Sequence, residues 1–116
     1  MAKVSQATGY RFAHEGLDVF RTAIELASWI HTTGRRIPRA GLRNQLAAAA
    51  ESVVLNLCEG TGRTGGSCRN HLEIAFGSAA ECHGALSLCK AYGVPGADDA
   101  LELVDRIRRM LFGLMR

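Results

Sequence analysis

The chain contains few prolines and none of the long apolar runs that a membrane segment requires. Proline occurs only twice, at Pro38 and Pro95, and the alternation of β-branched and aromatic residues that marks strands is missing. No apolar run approaches the ~20 residues needed to span a bilayer. The first residues, MAKVSQATGYRF, lack the apolar core of a secretory signal. We therefore expect an all-helical cytoplasmic protein with no membrane partner.

Cysteines and histidines are few, and their spacing matches no zinc site, disulfide framework or di-iron motif. Three of the four cysteines, together with Ala75, fall seven residues apart along one side of a single predicted helix, which is typical of small packing hydrophobes in a reducing compartment. A redox switch is the alternative, with Cys58 and Cys68 as its only plausible pair. We expect no metal or other cofactor, and surface positions for all four histidines: His14, His31, His71 and His83.

Length and charge leave several functional classes open. The 116 residues suffice for one domain with its own core, and we expect a flexible lead over residues 1–13 and a folded domain over 14–116. The net charge of +3 and pI near 8.9 permit contact with nucleic acid or an acidic protein without demanding either.

Apolar residues recur at spacings of three and four along most of the chain, which predicts amphipathic helices. In the first helix the expected core face is Leu17, Phe20, Ile24, Ala27 and Ile30, and Ser67 is the expected N-cap of the third. Because the connections are short, the sequence predicts an antiparallel up-down-up-down four-helix bundle. The predicted helices cover about 15–33, 39–60, 67–92 and 97–114.

Arginines cluster in the first connection, GRRIPRAGLR, which is the densest positive segment of the chain. One interpretation is a solvated loop whose arginines also satisfy the carboxyl end of the first helix; the other is an anion or nucleic-acid contact. The candidate nucleic-acid contacts are Arg35, Arg36, Arg39, Arg43, Arg69, Arg108 and Arg109.

A regular series of polar residues lies on the second and third predicted helices, beside the core stripe. An antiparallel register places Ser52 near Ser78 and predicts a hydrogen bond between them, while Arg63 is the expected partner of Glu59. Gln45 and Ser52 are the expected donors to Glu81, with a neighbouring subunit as the alternative, and Gly77 should let the two helices approach closely. The candidate packing and assembly residues are Gln45, Ser52, Asn56, Glu59, Gly60, Arg63, Gly77, Ser78 and Glu81.

The same residues also allow a catalytic interpretation, with Ser52 or Ser78 as nucleophile and Glu81 or Glu59 as base. The series lacks a histidine, and carboxylates between bundle helices more often fix packing register. We therefore expect no catalytic residues.

The stretch LRNQLAAAAESVVLNLCEGTGR, followed by HLEIAFGSAAE, resembles the four-helix-bundle family first noticed as intervening sequences within large-subunit ribosomal RNA genes. The family pattern has the form Q...AA.S...N.AEG..R and then L..A.GS..E, and the resemblance covers most of residues 15–113. Two departures are Cys58, where alanine is usual, and SCRNHL, which lacks the usual aromatic residues before Leu72. The positions that carry the resemblance are Gln45, Ala49, Ala50, Ser52, Asn56, Glu59, Gly60, Arg63, Leu72, Ala75, Gly77, Ser78 and Glu81.

This resemblance implies a small bundle with no established enzymatic role. Related accessory proteins of diversity-generating retroelements form pentameric barrels that bind nucleic acid and a reverse transcriptase. By resemblance, the expected function is a non-enzymatic homo-oligomeric scaffold, a pentamer, with RNA or DNA and a reverse transcriptase as candidate partners. The alternatives are a protein-interaction module without nucleic-acid binding and an enzyme that uses the serines and glutamates. Exposed apolar residues expected to serve a subunit interface are Trp29, Val54 and Leu55.

Overall fold

The computed structural model describes residues 12–116, which form four α-helices joined by short connections. The predicted all-α four-helix bundle is confirmed. A single 3-10 turn precedes the first helix, at Ala13–Gly16, and another follows it, at Thr33–Arg36. The predicted flexible lead lies almost wholly outside the described residues. The helices are α1 (Asp18–Thr32), α2 (Ala40–Thr61), α3 (Gly65–Ala91) and α4 (Ala97–Met115).

Each helix packs against its neighbour in sequence, and α4 closes the bundle against α1. At one end of the bundle Arg69, in the first turns of α3, donates to the carbonyl oxygen of Met115 at the end of α4, at 2.7 Å. At the other end the Lys90 ammonium lies 2.8 Å from the Asp98 carboxylate. The first contact joins the start of α3 to the end of α4 and the second joins the end of α3 to the start of α4, the arrangement expected of antiparallel neighbours.

The core combines large aliphatic side chains with small ones, most of them on α2 and α3. Leu46, Leu57, Leu86 and Ile107 are completely buried, and burying each such side chain contributes ~1.5–3 kcal/mol. Between them lie small buried residues that let neighbouring helices approach closely. These small residues are Ala49, Ala50, Ala75, Ala79, Cys82, Cys89 and Ala100.

The predicted core face of α1 is only partly correct: Ile30 is buried and Leu17 and Phe20 pack against the core, but the fully buried stripe lies to one side of the predicted face. Val19, Ala23, Leu26 and Ile30 form the buried stripe, together with Thr22, whereas Ile24 is 45% exposed. Both sets of apolar residues recur at spacings of three and four, so periodicity alone could not choose between them. The hydroxyl of Thr22 donates to the carbonyl oxygen of Asp18 at 2.9 Å, which allows this polar residue to be buried.

The third helix begins earlier than predicted. Its N-cap is Thr64 and not Ser67, because Gly65, with φ of 60°, completes the turn out of α2. Ser67 therefore lies within the first turn of α3. Among residues 12–116, no helix combines the length and apolar character that crossing a bilayer requires.

Candidate functional site

A close approach between α2 and α3 lies at Gly60. This residue is buried, and a methyl group added to it would lie 3.2 Å from the carbonyl oxygen of Cys68, from Cβ of His71 and from Cδ2 of Leu72. Gly77, in contrast, has open space around the position of an added methyl. The expectation that Gly77 brings these helices together is therefore wrong within the chain, because its position on α3 faces outward.

Four polar side chains form a continuous hydrogen-bonded network across the α2–α3 contact. The hydroxyls of Ser52 and Ser78 lie 2.7 Å apart, which confirms the predicted contact. The Asn56 amide nitrogen donates to the Ser52 hydroxyl at 3.1 Å and to the Ser52 carbonyl oxygen at 3.0 Å. The Asn56 amide oxygen lies 2.9 Å from Nδ1 of His71. Polar side chains of α2 thus pair with polar side chains of α3 at two points, Ser52 with Ser78 and Asn56 with His71. These two contacts fix the register of the two helices.

His71 is the member of this network that sequence reasoning missed. We expected a surface histidine, but the ring is half-buried and bonded to Asn56. The same antiparallel register that placed Ser52 near Ser78 also brings residue 71 close to residue 56, so the signal was present. The spacing of His71 from the other histidines carries no information about a partner on the neighbouring helix.

The remaining members of the polar series lie on the surface. The Arg63 guanidinium is 2.6 Å from the Glu59 carboxylate, as predicted, and this contact lowers the pKa of Glu59. Gln45 and Glu81 are exposed, and neither side chain bonds to any residue in 12–116. The prediction that Gln45 or Ser52 holds Glu81 is therefore wrong within the chain: Glu81 points away from the α2–α3 contact, and water can solvate its carboxylate.

The network has the chemistry of a packing contact. The Ser52 hydroxyl is bonded to Ser78 and Asn56, so neither a carboxylate nor an imidazole is positioned to take its proton. Within the described part of the chain, no group of three or more His, Cys, Asp or Glu residues is arranged to hold a metal ion.

The four cysteines are free thiols at different depths. Cys82 and Cys89 are completely buried, whereas Cys58 and Cys68 are half-buried. Burial raises the pKa of the Cys82 thiol to about 12, and the adjacent Glu81 carboxylate adds to the rise. Burial also raises the pKa values of Cys58 and Cys89. These shifts keep the thiols of Cys58, Cys82 and Cys89 protonated and slow to react at neutral pH.

The predicted nucleic-acid contacts fall into two groups that differ in their partners. Arg69 pairs with Glu73 at 3.1 Å, while Arg108 and Arg109 both pair with Asp105, at 3.2 and 3.4 Å. By contrast, the side chains of Arg35, Arg36 and Arg39 make no hydrogen bond or ion pair with residues 12–116. Arg43 makes only a long hydrogen bond, 3.5 Å, to the carbonyl oxygen of Ile37. We call residues 35–43 the arginine loop.

Beside the arginine loop, a groove of about 290 Å³ lies between α1 and α2. Its floor is made of small and aliphatic side chains, and charged and polar side chains surround it. We call it the α1–α2 groove. Its lining residues are Ala27, Ile30, His31, Arg35, Arg43, Asn44, Ala47, Ala50 and Glu51.

A second surface, which we call the α2–α3 face, lies just outside the Ser52–Ser78 contact. On α3 its residues are spaced by three and four, as in a helix that meets a partner helix: two apolar side chains lie at the ends of the series, and two glycines flank Glu81 between them. Leu55, Ile74 and Leu88 are 66%, 42% and 45% exposed. Val54 and Trp29, which we expected to be exposed, pack against the core. The residues of the α2–α3 face are Gln45, Ala48, Leu55, Glu59, Ile74, Gly77, Glu81, Gly84 and Leu88.

A family model described as 23S rRNA-intervening sequence protein matches residues 15–113. That range begins in the 3-10 turn before α1 and ends within the last turn of α4, so it takes in the whole bundle. A search of curated proteins found no match.

Proposed function

The chain belongs to the 23S rRNA-intervening sequence protein family, and from that premise we propose that it is a non-enzymatic accessory or scaffold protein. In this proposal the bundle assembles with further copies of itself, as a pentamer, and binds nucleic acid through the arginine loop. A reverse transcriptase is the proposed protein partner.

The observation that carries the nucleic-acid proposal is the set of unpaired guanidinium groups in the arginine loop. Arg69, Arg108 and Arg109 pair with carboxylates of the same chain. Arg35, Arg36 and Arg39 have no such partner among residues 12–116, and together with Arg43 they lie within nine consecutive positions. A phosphate backbone presents regularly spaced negative charge, and binding releases its condensed counterions.

Self-assembly is supported by the α2–α3 face. Leu55, Ile74 and Leu88 expose apolar side chains around two glycines of α3 that have open space beside them. Mid-helix glycines lower helix stability by ~1 kcal/mol each, and nothing within the described chain offsets this at Gly77 or Gly84. A partner helix packed closely over the glycines would bury the apolar side chains and offset the cost.

The polar series supports the proposal of a non-enzymatic role. Ser52 is bonded to Ser78 and Asn56, and the exposed Glu81 side chain makes no hydrogen bond or ion pair in the described part of the chain. Among these residues, no serine, base and orienting group come together as nucleophilic catalysis requires. The same groups are well suited to fixing the α2–α3 register and leaving Glu81 available to a partner.

The nucleic-acid half of the proposal is tested by fluorescence anisotropy with labelled RNA and DNA at two salt concentrations. We compare Arg36→Ala/Arg39→Ala with the matched control Arg108→Ala/Arg109→Ala, which removes two arginines already paired with Asp105. The first variant should weaken binding and reduce the slope of log affinity against log salt by ~0.9 for each phosphate that is no longer neutralised. Equal effects of the two variants would contradict the role of the arginine loop, and no binding at low salt would remove this half altogether.

A protein-interaction module without nucleic-acid binding is the second candidate, and the exposed Leu55 side chain favours it. Measurements on one protein preparation can distinguish nucleic-acid binding from protein interaction alone. Light scattering should give five times the monomer mass of 12.5 kDa, and Leu55→Glu should lower that mass because it places a charge on the proposed contact. An assembly that captures a reverse transcriptase in pull-down but no nucleic acid would favour the second candidate.

A further inference from the structure

We infer that the α1–α2 groove holds one unpaired nucleotide of a single-stranded nucleic acid, with the phosphate at the arginine end and the base over the apolar floor. The inference rests on the proposed function, because it names the ligand of the same arginine-rich end of the bundle. It adds a pocket, an orientation and a preference for single strands, none of which the arginine loop alone provides.

The two ends of the groove differ in charge. Arg35 follows α1 and Arg43 lies in the first turn of α2, so both guanidinium groups are at the loop end of the groove. Arg35 makes no bond within the described residues, and the Arg43 contact with the Ile37 carbonyl is long. Both are therefore available to a phosphate, which guanidinium groups bind with two parallel hydrogen bonds. Asn44 offers an amide donor beside them.

The middle of the groove suits a flat apolar ring. Ala27 from α1 and Ala47 from α2 line it with methyl groups, so the backbones of both helices are accessible to a ligand. His31 adds a planar ring at the rim, and bases splayed out of single strands stack on such rings. The volume of about 290 Å³ limits the ligand to one nucleotide unit or a group of similar size.

Glu51 determines the orientation of the nucleotide in the groove. It follows Arg43 by eight residues on α2, which places it ~12 Å further along the helix, and its carboxylate bonds to no residue in 12–116. A phosphate is repelled from this end, whereas the exocyclic amino group of cytosine or adenine can donate to a carboxylate. The groove therefore favours a base with an amino group on its pairing edge.

A duplex cannot satisfy this arrangement. In a double helix the pairing edge is occupied and both faces of the base are stacked, so a base reaches the floor of a pocket only after it is unstacked and unpaired. The arginine loop can still bind duplex phosphates from outside the groove. Single-strand and duplex binding should consequently respond differently to changes in the groove floor.

Filling the groove tests the inference. Ala27→Leu places a bulky side chain on its floor, and Ser28→Leu makes the same addition at an exposed neighbouring position of α1 outside the groove. The probes are labelled oligo(dC), labelled oligo(dT) and a labelled duplex, and thermal unfolding monitors the fold of both variants. We expect Ala27→Leu to weaken oligo(dC) binding roughly tenfold, since one base no longer stacks in the groove. Duplex binding should stay within about twofold, and Ser28→Leu should change neither.

Glu51→Gln provides a second readout that does not depend on filling space. The parent protein should bind oligo(dC) several-fold more tightly than oligo(dT), and Glu51→Gln should reduce that preference because the amide no longer offers two acceptor oxygens. Strand and duplex binding that are equal and unaffected by Ala27→Leu would overturn the inference while leaving the proposed function intact. Failure of the parent protein to bind any of the three probes at low salt would overturn both.

Discussion

At Gly60 a single hydrogen atom in place of a side chain decides how closely α2 and α3 can pack. Gly60→Ala should destabilise the fold by ~1–3 kcal/mol, because its methyl group would press on the Cys68 carbonyl, His71 and Leu72 at once. Gly113→Ala is the matched control: this position is helical and exposed with open space beside it, so stability should rise by up to ~1 kcal/mol. Chemical denaturation measures both, and equal effects would refute the close contact.

The Cys82 thiol makes stability depend on alkaline pH. In the unfolded chain this thiol ionises near its ordinary value of 9.0, whereas in the bundle its pKa is about 12. Between these values the unfolded state loses the proton and the folded state keeps it. The free energy of unfolding should therefore fall as pH rises above 9.0, by ~1.4 kcal/mol per pH unit for one such group.

The variant Cys82→Ala isolates this thiol from other groups that titrate in the same range. Its free energy of unfolding should fall less steeply with pH than that of the parent protein, although its value at neutral pH drops because a sulfur atom is removed from the core. Denaturant titrations across the alkaline range give the comparison. Parallel curves for the two proteins would show that Cys82 ionises equally in both states.

Individual contacts were predictable where two independent patterns coincided. Ser52 and Ser78 were paired by the antiparallel register together with their matching chemistry, and Glu59 and Arg63 by helical spacing together with opposite charge. The predicted contact of Glu81 rested on the antiparallel register alone, without a second pattern to support it. Three residues after Ser78, Glu81 is displaced by only ~60° around α3, but that is enough to leave it exposed outside the contact.

At the scale of the helices, the positions of the helix ends were predicted more accurately than the face that each helix buries. Glycines and prolines limit where each helix can extend, so the observed ends lie within a few residues of those predicted. The buried face of α1 was not determined in the same way, because Leu17, Phe20 and Ile24 form a second apolar stripe beside the true one. Only the positions of α2 and α4 decide which stripe is buried.

Matched truncations on α1 test that assignment. Leu26→Ala removes a side chain that is 1% exposed and should cost ~2–5 kcal/mol. Ile24→Ala removes a side chain of the same volume that is 45% exposed, and should cost less than ~1 kcal/mol. Thermal or chemical unfolding gives both values. A larger loss for Ile24→Ala would restore the predicted face and contradict the observed one.

For the whole molecule, the sequence predicted the bundle, while the functional surfaces depend on side chains that the fold leaves without partners. The chain pairs Arg69, Arg108 and Arg109 internally and leaves Arg35, Arg36 and Arg39 without partners in residues 12–116. The sequence analysis did not separate these groups, although spacing could have done so: each pair joins residues three or four apart on one helix, whereas no carboxylate lies at that spacing from Arg35, Arg36 or Arg39. The α1–α2 groove was likewise unpredicted, since its walls come from separate helices.

A substitution at Glu81 distinguishes effects on the stability of a single bundle from effects on the stability of the assembly. Its carboxylate is exposed and bonds to no residue of the described chain, so Glu81→Ala should change the free energy of unfolding of the dissociated protein by less than ~0.5 kcal/mol. If the α2–α3 face joins subunits, the same variant should lower the mass measured by light scattering and make the melting temperature more dependent on concentration. Glu102→Ala, at an exposed position of α4 outside that face, is the matched control. Identical masses for both variants and the parent protein across the concentration series would exclude Glu81 from the subunit contact, whereas a loss of stability in the dissociated protein would show that Glu81 acts within its own chain.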